Sequence, residues 1–501
     1  MGRAGRLFLN LLAFFRTHPV STAPNSTASR PPVPPTGGGD GGDEWVSLYA
    51  SSEKIYPRSV SGVFSNWRWV TVWITQLVFY GLPWLQWNAR QAVLFDLETR
   101  RFYIFSLVLY PQDFIYLTGL LVISALSLFL FTAVAGRLWC GYACPQTVYT
   151  EIFLWIEKKV EGDRSARMRL DKAEFSAAKF GKKWLKHALW ISFSVWTGFT
   201  FVGYFTPIRE LALMSLAASL GPWQIFWVVF YGFATYGNAG FMREQVCKYM
   251  CPYARFQSAM FDKDTMIVTY DEKRGEPRGA RSKKADPTAL GLGDCVSCTL
   301  CVQVCPTGID IRNGLQYECI GCGACIDVCD EVMDKVGYPR GLIKYSTQNG
   351  MTQGWSKAQM IRRAFRPRVL VYSGILLTIT LAVMVSLFMR TPLRVDVIRD
   401  RGALARQVEQ GRVENVFRLQ VMNATEETQR YTISVSGLPG IAIASDPQVE
   451  VLPTEVRSAV LRVQVPPDAA ATGSHPIRFV IRSVGDDSVE VSEEAAFVIP
   501  R

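Results

Sequence analysis

Twelve cysteines fall into four spaced groups with none left over. Cys295, Cys298, Cys301 and Cys305 read C-x-x-C-x-x-C-x-x-x-C-P, closing on Pro306. Cys319, Cys322, Cys325 and Cys329 repeat the spacing, with Asp330 in place of the proline. Closely spaced thiolates on a tight loop can wrap three corners of an iron–sulfur cube, and the fourth corner comes from the distant cysteine of the other motif. On that logic Cys295, Cys298, Cys301 and Cys329 hold one 4Fe–4S cluster, and Cys319, Cys322, Cys325 and Cys305 hold a second. Gly308, Gly321 and Gly323 let the backbone approach inorganic sulfur. Structural zinc would not require the doubled triplet spacing. Disulfides do not persist in a reducing compartment.

The other four cysteines pose a different problem. Cys140 and Cys144 read W-C-G-Y-A-C-P, and Cys247 and Cys251 read V-C-K-Y-M-C-P. The i,i+4 spacing predicts both thiols of a pair on one helix face. Pro145 and Pro252 place each pair at a helix kink or end. Three readings are open: a metal or electron-transfer site, a dithiol–disulfide pair, or small buried hydrophobes. The repetition of one spacing favours the first, and soft thiolates select Cu(I), zinc or iron–sulfur. Met242 and Met250 are either extra thioether donors or packing residues. The chain has three histidines, His18, His187 and His475, and no pair of them lies in an apolar stretch. A bis-histidine haem in a bilayer is thus not expected, and electrons should stay on one face. His187, near the depth of the C-x-x-x-C-P motifs, is a ligand, a proton donor or an ordinary interfacial histidine.

These motifs must be held by something large and apolar. The chain has 501 residues, 49% apolar and 19% charged, against ~25% charged in soluble domains. Five stretches approach the ~20 residues that cross a bilayer: Trp69–Trp87, Asp113–Ala135, Ala188–Thr206, Pro222–Phe241 and Val369–Met389. The segment 136–187 carries eleven Lys and Arg, and 243–368 is also rich in them. The loop between the first two stretches has only Arg90, Arg100 and Arg101, and that between the third and fourth only Arg209. The positive-inside bias then puts 1–66, 136–187 and 243–368 in the cytoplasm and 391–501 outside. The net charge of +11 follows from this bias, so no nucleic-acid partner is expected. Arg3 and Arg6 before Leu7–Phe15 resemble the start of a signal peptide, but no Ala-x-Ala site follows. The segment reads as cytoplasmic and amphipathic, and 17–43 as a flexible tail.

Residues 391–501 change character: no Cys, no Lys, and 12 Arg against 15 acidic residues. Alternating runs at Phe417–Met422, Tyr431–Ser436, Ala459–Val465, Ile477–Val484 and Ala495–Ile499 are separated by turn signals at Gly437–Gly440, Pro466–Asp468 and Gly485–Asp487. That pattern predicts an immunoglobulin-like antiparallel β-sandwich. The expected fold class is a multi-domain membrane protein. It comprises a cytoplasmic tail (1–66), a four-span core with both C-x-x-x-C-P motifs (67–260), a ferredoxin-like insert (261–368), a fifth transmembrane helix (369–390) and an outer sandwich (391–501).

From about residue 50 onward the chain resembles the CcoG/FixG family of cytochrome c oxidase accessory proteins. The resemblance rests on W-C-G-Y-A-C-P-Q-T at 139–147, C-K-Y-M-C-P-Y-A-R-F-Q at 247–257, the tandem ferredoxin motifs and the immunoglobulin-like tail. It implies a role in assembling the cbb3-type oxidase of the bacterial inner membrane, with the outer domain periplasmic. Specifically it implies reduction of Cu(II) to Cu(I), with Cys140, Cys144, Cys247 and Cys251 handling copper and the other eight cysteines forming the relay. Copper ions, a copper-transporting ATPase or other assembly factors are the implied partners, and a second copy of the chain is a further candidate. Two other functions compete: a membrane ferredoxin passing electrons from quinol or a cytoplasmic donor to a partner reductase, and a scaffold for assembly factors.

Overall fold

The computed structural model describes residues 54–282, 290–400 and 405–500. The N-terminal segments discussed above, Arg3–Phe15 and 17–43, lie outside the described residues.

Two helices among the described residues are long and apolar enough to cross a membrane, Pro111–Ala135 and Pro367–Phe388. They lie side by side. A Cβ on Gly119 would stand 2.9 Å from Val383 Cγ2, so the glycine sets their approach. The other three predicted spans also form helices, but do not reach that combination of length and apolarity. Their bounds differ from the hydropathy reading. The first helix runs Val63–Gly81 and gives way to a 3-10 turn, Leu82–Trp84, because Pro83 lacks the N–H a longer helix needs. The third runs Ala177–Val202, well before Ala188, because Ser176 caps it by accepting from the Lys179 N–H at 3.2 Å. The fourth is α-helical over Pro222–Thr235 and continues as a π-helical turn, Tyr236–Met242.

The first helix has no cap of its own. The Phe64 and Ser65 N–H groups instead donate to Asp327 Oδ1 at 3.2 Å and Oδ2 at 2.7 Å. Asp327 sits between Cys325 and Cys329, on the helix Ala324–Val336. One carboxylate thus caps a helix 262 residues earlier in the chain. Asp327→Ala should cost about 0.5–2 kcal/mol, the usual loss of an N-cap. Hydrogen exchange should show faster amide exchange at Phe64 and Ser65 in the variant, and unchanged exchange there would refute the cap.

The ferredoxin-like region adds a two-stranded antiparallel sheet, Ile267–Tyr270 with Ile343–Ser346. The C-terminal region is a two-sheet sandwich. One sheet orders Ala442–Ile443, Val456–Val465, Val413–Asn423 and Leu393–Arg399. The other orders Gln448–Val451, Gln429–Ser436, Gly473–Ser483 and Glu490–Ile499. Inward residues alternate with outward ones, and Phe417, Leu419, Val421, Ile433, Phe479 and Phe497 meet in the core. The predicted turns fall between strands. The strand Leu393–Arg399 was not among the predicted runs.

This sandwich is seated on a small antiparallel sheet, Val93–Asp96, Arg101–Ile104 and Leu107–Leu109. Arg390 and Arg394 both pair with the buried Asp113, at 2.5 and 2.9 Å. The Tyr110 hydroxyl donates to the Asn423 carbonyl at 2.9 Å.

Candidate redox site

The eight ferredoxin cysteines form two sets in space. One cavity is lined by Cys295, Cys298, Cys301 and Cys329, walled by Tyr270, Val328, Val332, Met333, Leu342 and Ile343. A neighbouring cavity is lined by Cys305, Cys319, Cys322 and Cys325, walled by Val268, Ile309, Ile311 and Ile320, and reached also by Cys301. Each set crosses the two motifs, three thiols from one and one from the other. Burial, and then the neighbouring thiols, push Cys301, Cys319, Cys322, Cys325 and Cys329 up. Cys301 rises to about 11, Cys319 and Cys329 to about 12, and Cys325 well above its ordinary value. Four thiols crowded into an apolar cavity need a cationic centre to be stable as thiolates, and iron would supply it. Among the described residues, no three His, Cys, Asp or Glu converge tightly enough to hold a single metal ion. Each cavity is instead lined by four thiols, the number of ligands a cubane takes. The residues therefore fit two 4Fe–4S clusters.

The C-x-x-x-C-P pairs are built differently from the one-face expectation. Cys140 lies on the short helix Leu138–Tyr142, but Cys144 is extended (φ −61°, ψ 128°) and caps the next helix, Pro145–Glu161. Cys247 lies on a π-helical turn, Val246–Met250, and Cys251 is extended (φ −78°, ψ 109°) before the helix Pro252–Met260. Each motif thus straddles a helix break. The proline drives this, since it excludes the preceding residue from the helical region yet sits comfortably at the first position of the next helix. The second thiol of each pair consequently meets a helix N-terminus, which favours negative charge. The Gln146 and Thr147 amides face the Cys144 thiol and lower its pKa, though burial outweighs them and leaves it raised.

The two pairs come together across the fold. Cys140 feels the charge of Cys144 and Cys251, and Cys247 feels Cys144, Cys140 and Cys251. Burial pushes Cys140 up to about 11 and Cys247 to about 12. A metal ion must displace protons from both. Sequence reasoning missed three supporting side chains. Gln257 Oε1 accepts from the Cys140 thiol at 3.4 Å. Buried Arg137 donates to the Tyr317 and Ala254 carbonyls and pulls Cys140, Cys247 and Cys319 down in pKa. Arg68 pairs with Glu151 at 2.5 Å beside Cys322. Arg137 and Gln257 lie within or next to the quoted motifs, so an arginine before W-C-G and a glutamine after Y-A-R-F were the available signals.

His187 is turned into an aromatic nest of Trp190, Tyr236 and Phe241, where its Nδ1 meets the Tyr236 hydroxyl at 3.0 Å. Met250 is 56% exposed.

Comparisons with known proteins agree with this arrangement. A family model described as a 4Fe-4S dicluster domain matches residues 242–348, which contain Cys247 and Cys251 as well as all eight ferredoxin cysteines. One described as a 4Fe-4S binding domain matches 117–161, which contain Cys140 and Cys144. A third, for the IG-like fold at the C-terminus of FixG, matches 383–500. Protein RdxB of Cereibacter sphaeroides is 41% identical over 406 residues, covering 79% of this chain and 85% of that protein. The nitrogen fixation protein FixG of Rhizobium meliloti is 40% identical over 423 residues, covering 78% and 81%. Among solved structures, a FixG-related protein from Vibrio parahaemolyticus is 27% identical over 22% of this chain and 97% of its own, with a TM-score of 0.20. The chain is an iron–sulfur protein and belongs to the CcoG/FixG family.

Proposed function

We propose that this protein reduces Cu(II) to Cu(I) at the site formed by Cys140, Cys144, Cys247 and Cys251, in the service of cbb3-type oxidase assembly. One observation carries the reading: four half-buried thiols from two distant repeats come together beside the ferredoxin cysteines. The clusters, when bound, supply single electrons, which is the stoichiometry Cu(II) requires. The reductant is a one-electron carrier protein of the cytoplasm. Each turnover takes one electron from it and turns one Cu(II) into one Cu(I), with no bond broken in the chain.

The protein's own residues set the preference for product. Thiolate sulfur favours Cu(I) over Cu(II), so binding at these cysteines pulls the reduction forward. Five crossings with the N-terminus inside place this site at the cytoplasmic face and the sandwich in the periplasm. The charge bias of the loops supports that orientation.

The test uses protein reduced by dithionite and reconstituted in vesicles. Replacing Cys140 and Cys144 together with Ala should slow cupric reduction at least about tenfold, the scale on which metal-shell changes act, with iron content intact. Unchanged activity would sink the assignment. Quinol oxidation with no copper dependence would favour the electron-transfer-subunit reading.

A further inference from the structure

Two features of the relay are unlike each other. Cys298 is exposed to solvent, whereas Cys322 is buried. The Cys140 turn covers one side of Cys322. Cys140 packs against the buried cluster that contains Ile320 and Cys322. A Cβ on Gly141 would stand 2.8 Å from both Cys322 Cα and the Ile320 carbonyl oxygen, closer than real side chains come. Gly321 answers from the other side. Its φ is +66°, and a Cβ there would lie 3.2 Å from the Arg137 carbonyl carbon. Two glycines, one in each motif, therefore let the Cys140 turn and the Cys319–Cys322 loop touch backbone to backbone.

We infer that this glycine contact is the electron exit of the relay. Electrons enter at the Cys298 site, where solvent and a carrier protein have access, and leave for the four-thiol site from the Cys322 site. The inference rests on the copper-reductase reading and adds an order to it. The balance is one electron in at the exposed site and one electron out to one Cu(II), which becomes Cu(I). Gly141 is a positioning residue, since it holds Cys140 against the loop without touching copper.

The experiment compares wild-type protein with Gly141→Ala, both reduced with dithionite and followed by electron paramagnetic resonance. The added methyl meets backbone atoms that cannot rotate away, so the Cys140 turn must shift. Misplacement on that scale can cost up to ~100-fold in rate. We expect iron content unchanged, the resonance of one cluster shifted and that of the other untouched. Reoxidation by Cu(II) should slow roughly tenfold or more, while reoxidation by ferricyanide, which reaches the exposed Cys298 side, stays within about twofold. Copper reoxidation at the wild-type rate would overturn the proposal. If Gly141→Ala loses iron, Cys140→Ser decides, because it adds no atom at the contact. It should perturb the signal of one cluster alone, and no perturbation would overturn the contact. If Cu(II) fails to reoxidise even the wild type, the copper reading falls. The spectral shift then judges the junction separately.

Discussion

Cys325→Ala should remove about half of the bound iron, roughly four of eight atoms, and slow cupric reduction by about 100-fold, the upper end for a metal-shell change. Cys325 sits between the two sets. It feels Cys322, Cys319 and Cys305 of its own cavity and Cys301 of the neighbouring one. Its loss opens one corner of a cavity whose wall is otherwise largely apolar, built from Val268, Ile309, Ile311 and Ile320. The other cavity keeps its four cysteines, so one resonance should survive. The four C-x-x-x-C-P thiols proposed to take copper are untouched, which separates this outcome from a binding defect: Cu(I) uptake by the variant should match the wild type while electron delivery fails. Because metal binding and folding are coupled, the variant should also melt earlier. Iron analysis and stopped-flow reoxidation check both halves. Full iron content, or reduction at the wild-type rate, would show that Cys325 is no ligand.

Much of this site was legible in advance because cysteine spacing records a geometric demand. The crossing of three thiols with one distant thiol follows from the reach of a short loop, and the two cavities are lined in that pattern. The sandwich was legible for a similar reason: Phe417, Leu419 and Val421 alternate inward, and period two has one structural meaning. The C-x-x-x-C-P geometry was legible only in its helix ends, which Pro145 and Pro252 mark. Spacing alone puts Cys140 and Cys144 on one helix face, but the local restriction imposed by Pro145 overrides the helical register and turns the pair across a break. The π-helical turns at Tyr236–Met242 and Val246–Met250 leave no mark in hydropathy. Long-range contacts were invisible too. Asp327 capping Ser65, or Gly141 meeting Cys322, joins segments with no relation in sequence. Hydropathy found where helices lie but not where they begin and end, because Ser176 and Pro83 act through hydrogen bonding rather than apolarity.

Glu157→Gln should destabilise the protein by about 3–5 kcal/mol, the cost of stripping one partner from a buried ion pair. Glu157, on the helix Pro145–Glu161, is 2% exposed. It meets Arg243 at 2.6 Å and Arg167 at 2.8 Å, with Lys186 at 4.0 Å. Glutamine keeps the shape and removes the charge, which leaves the two guanidinium groups facing each other in a poorly hydrated place. The consequence extends to the redox site. Arg243 stands four residues before Cys247, and its carbonyl accepts from Gln146 in the other C-x-x-x-C-P motif at 3.1 Å. Releasing Arg243 therefore loosens the turn that sets one thiol pair against the other, and copper reduction should fall along with stability. The pH dependence has a definite sign. Burial alone would raise the Glu157 carboxyl, but Arg243, Arg167 and Lys186 outweigh it and hold the group below its ordinary value. A lowered carboxylate contributes stability that is fully present above the unfolded value of ~4.3 and is lost as pH falls through the lower folded value. The gap in stability between wild type and Glu157→Gln should thus be constant from neutral pH down to roughly pH 5 and shrink below it. Denaturant titrations of both proteins at a series of pH values check this, and a gap that widens in acid would mean that the ion pairs do not hold the carboxylate ionised.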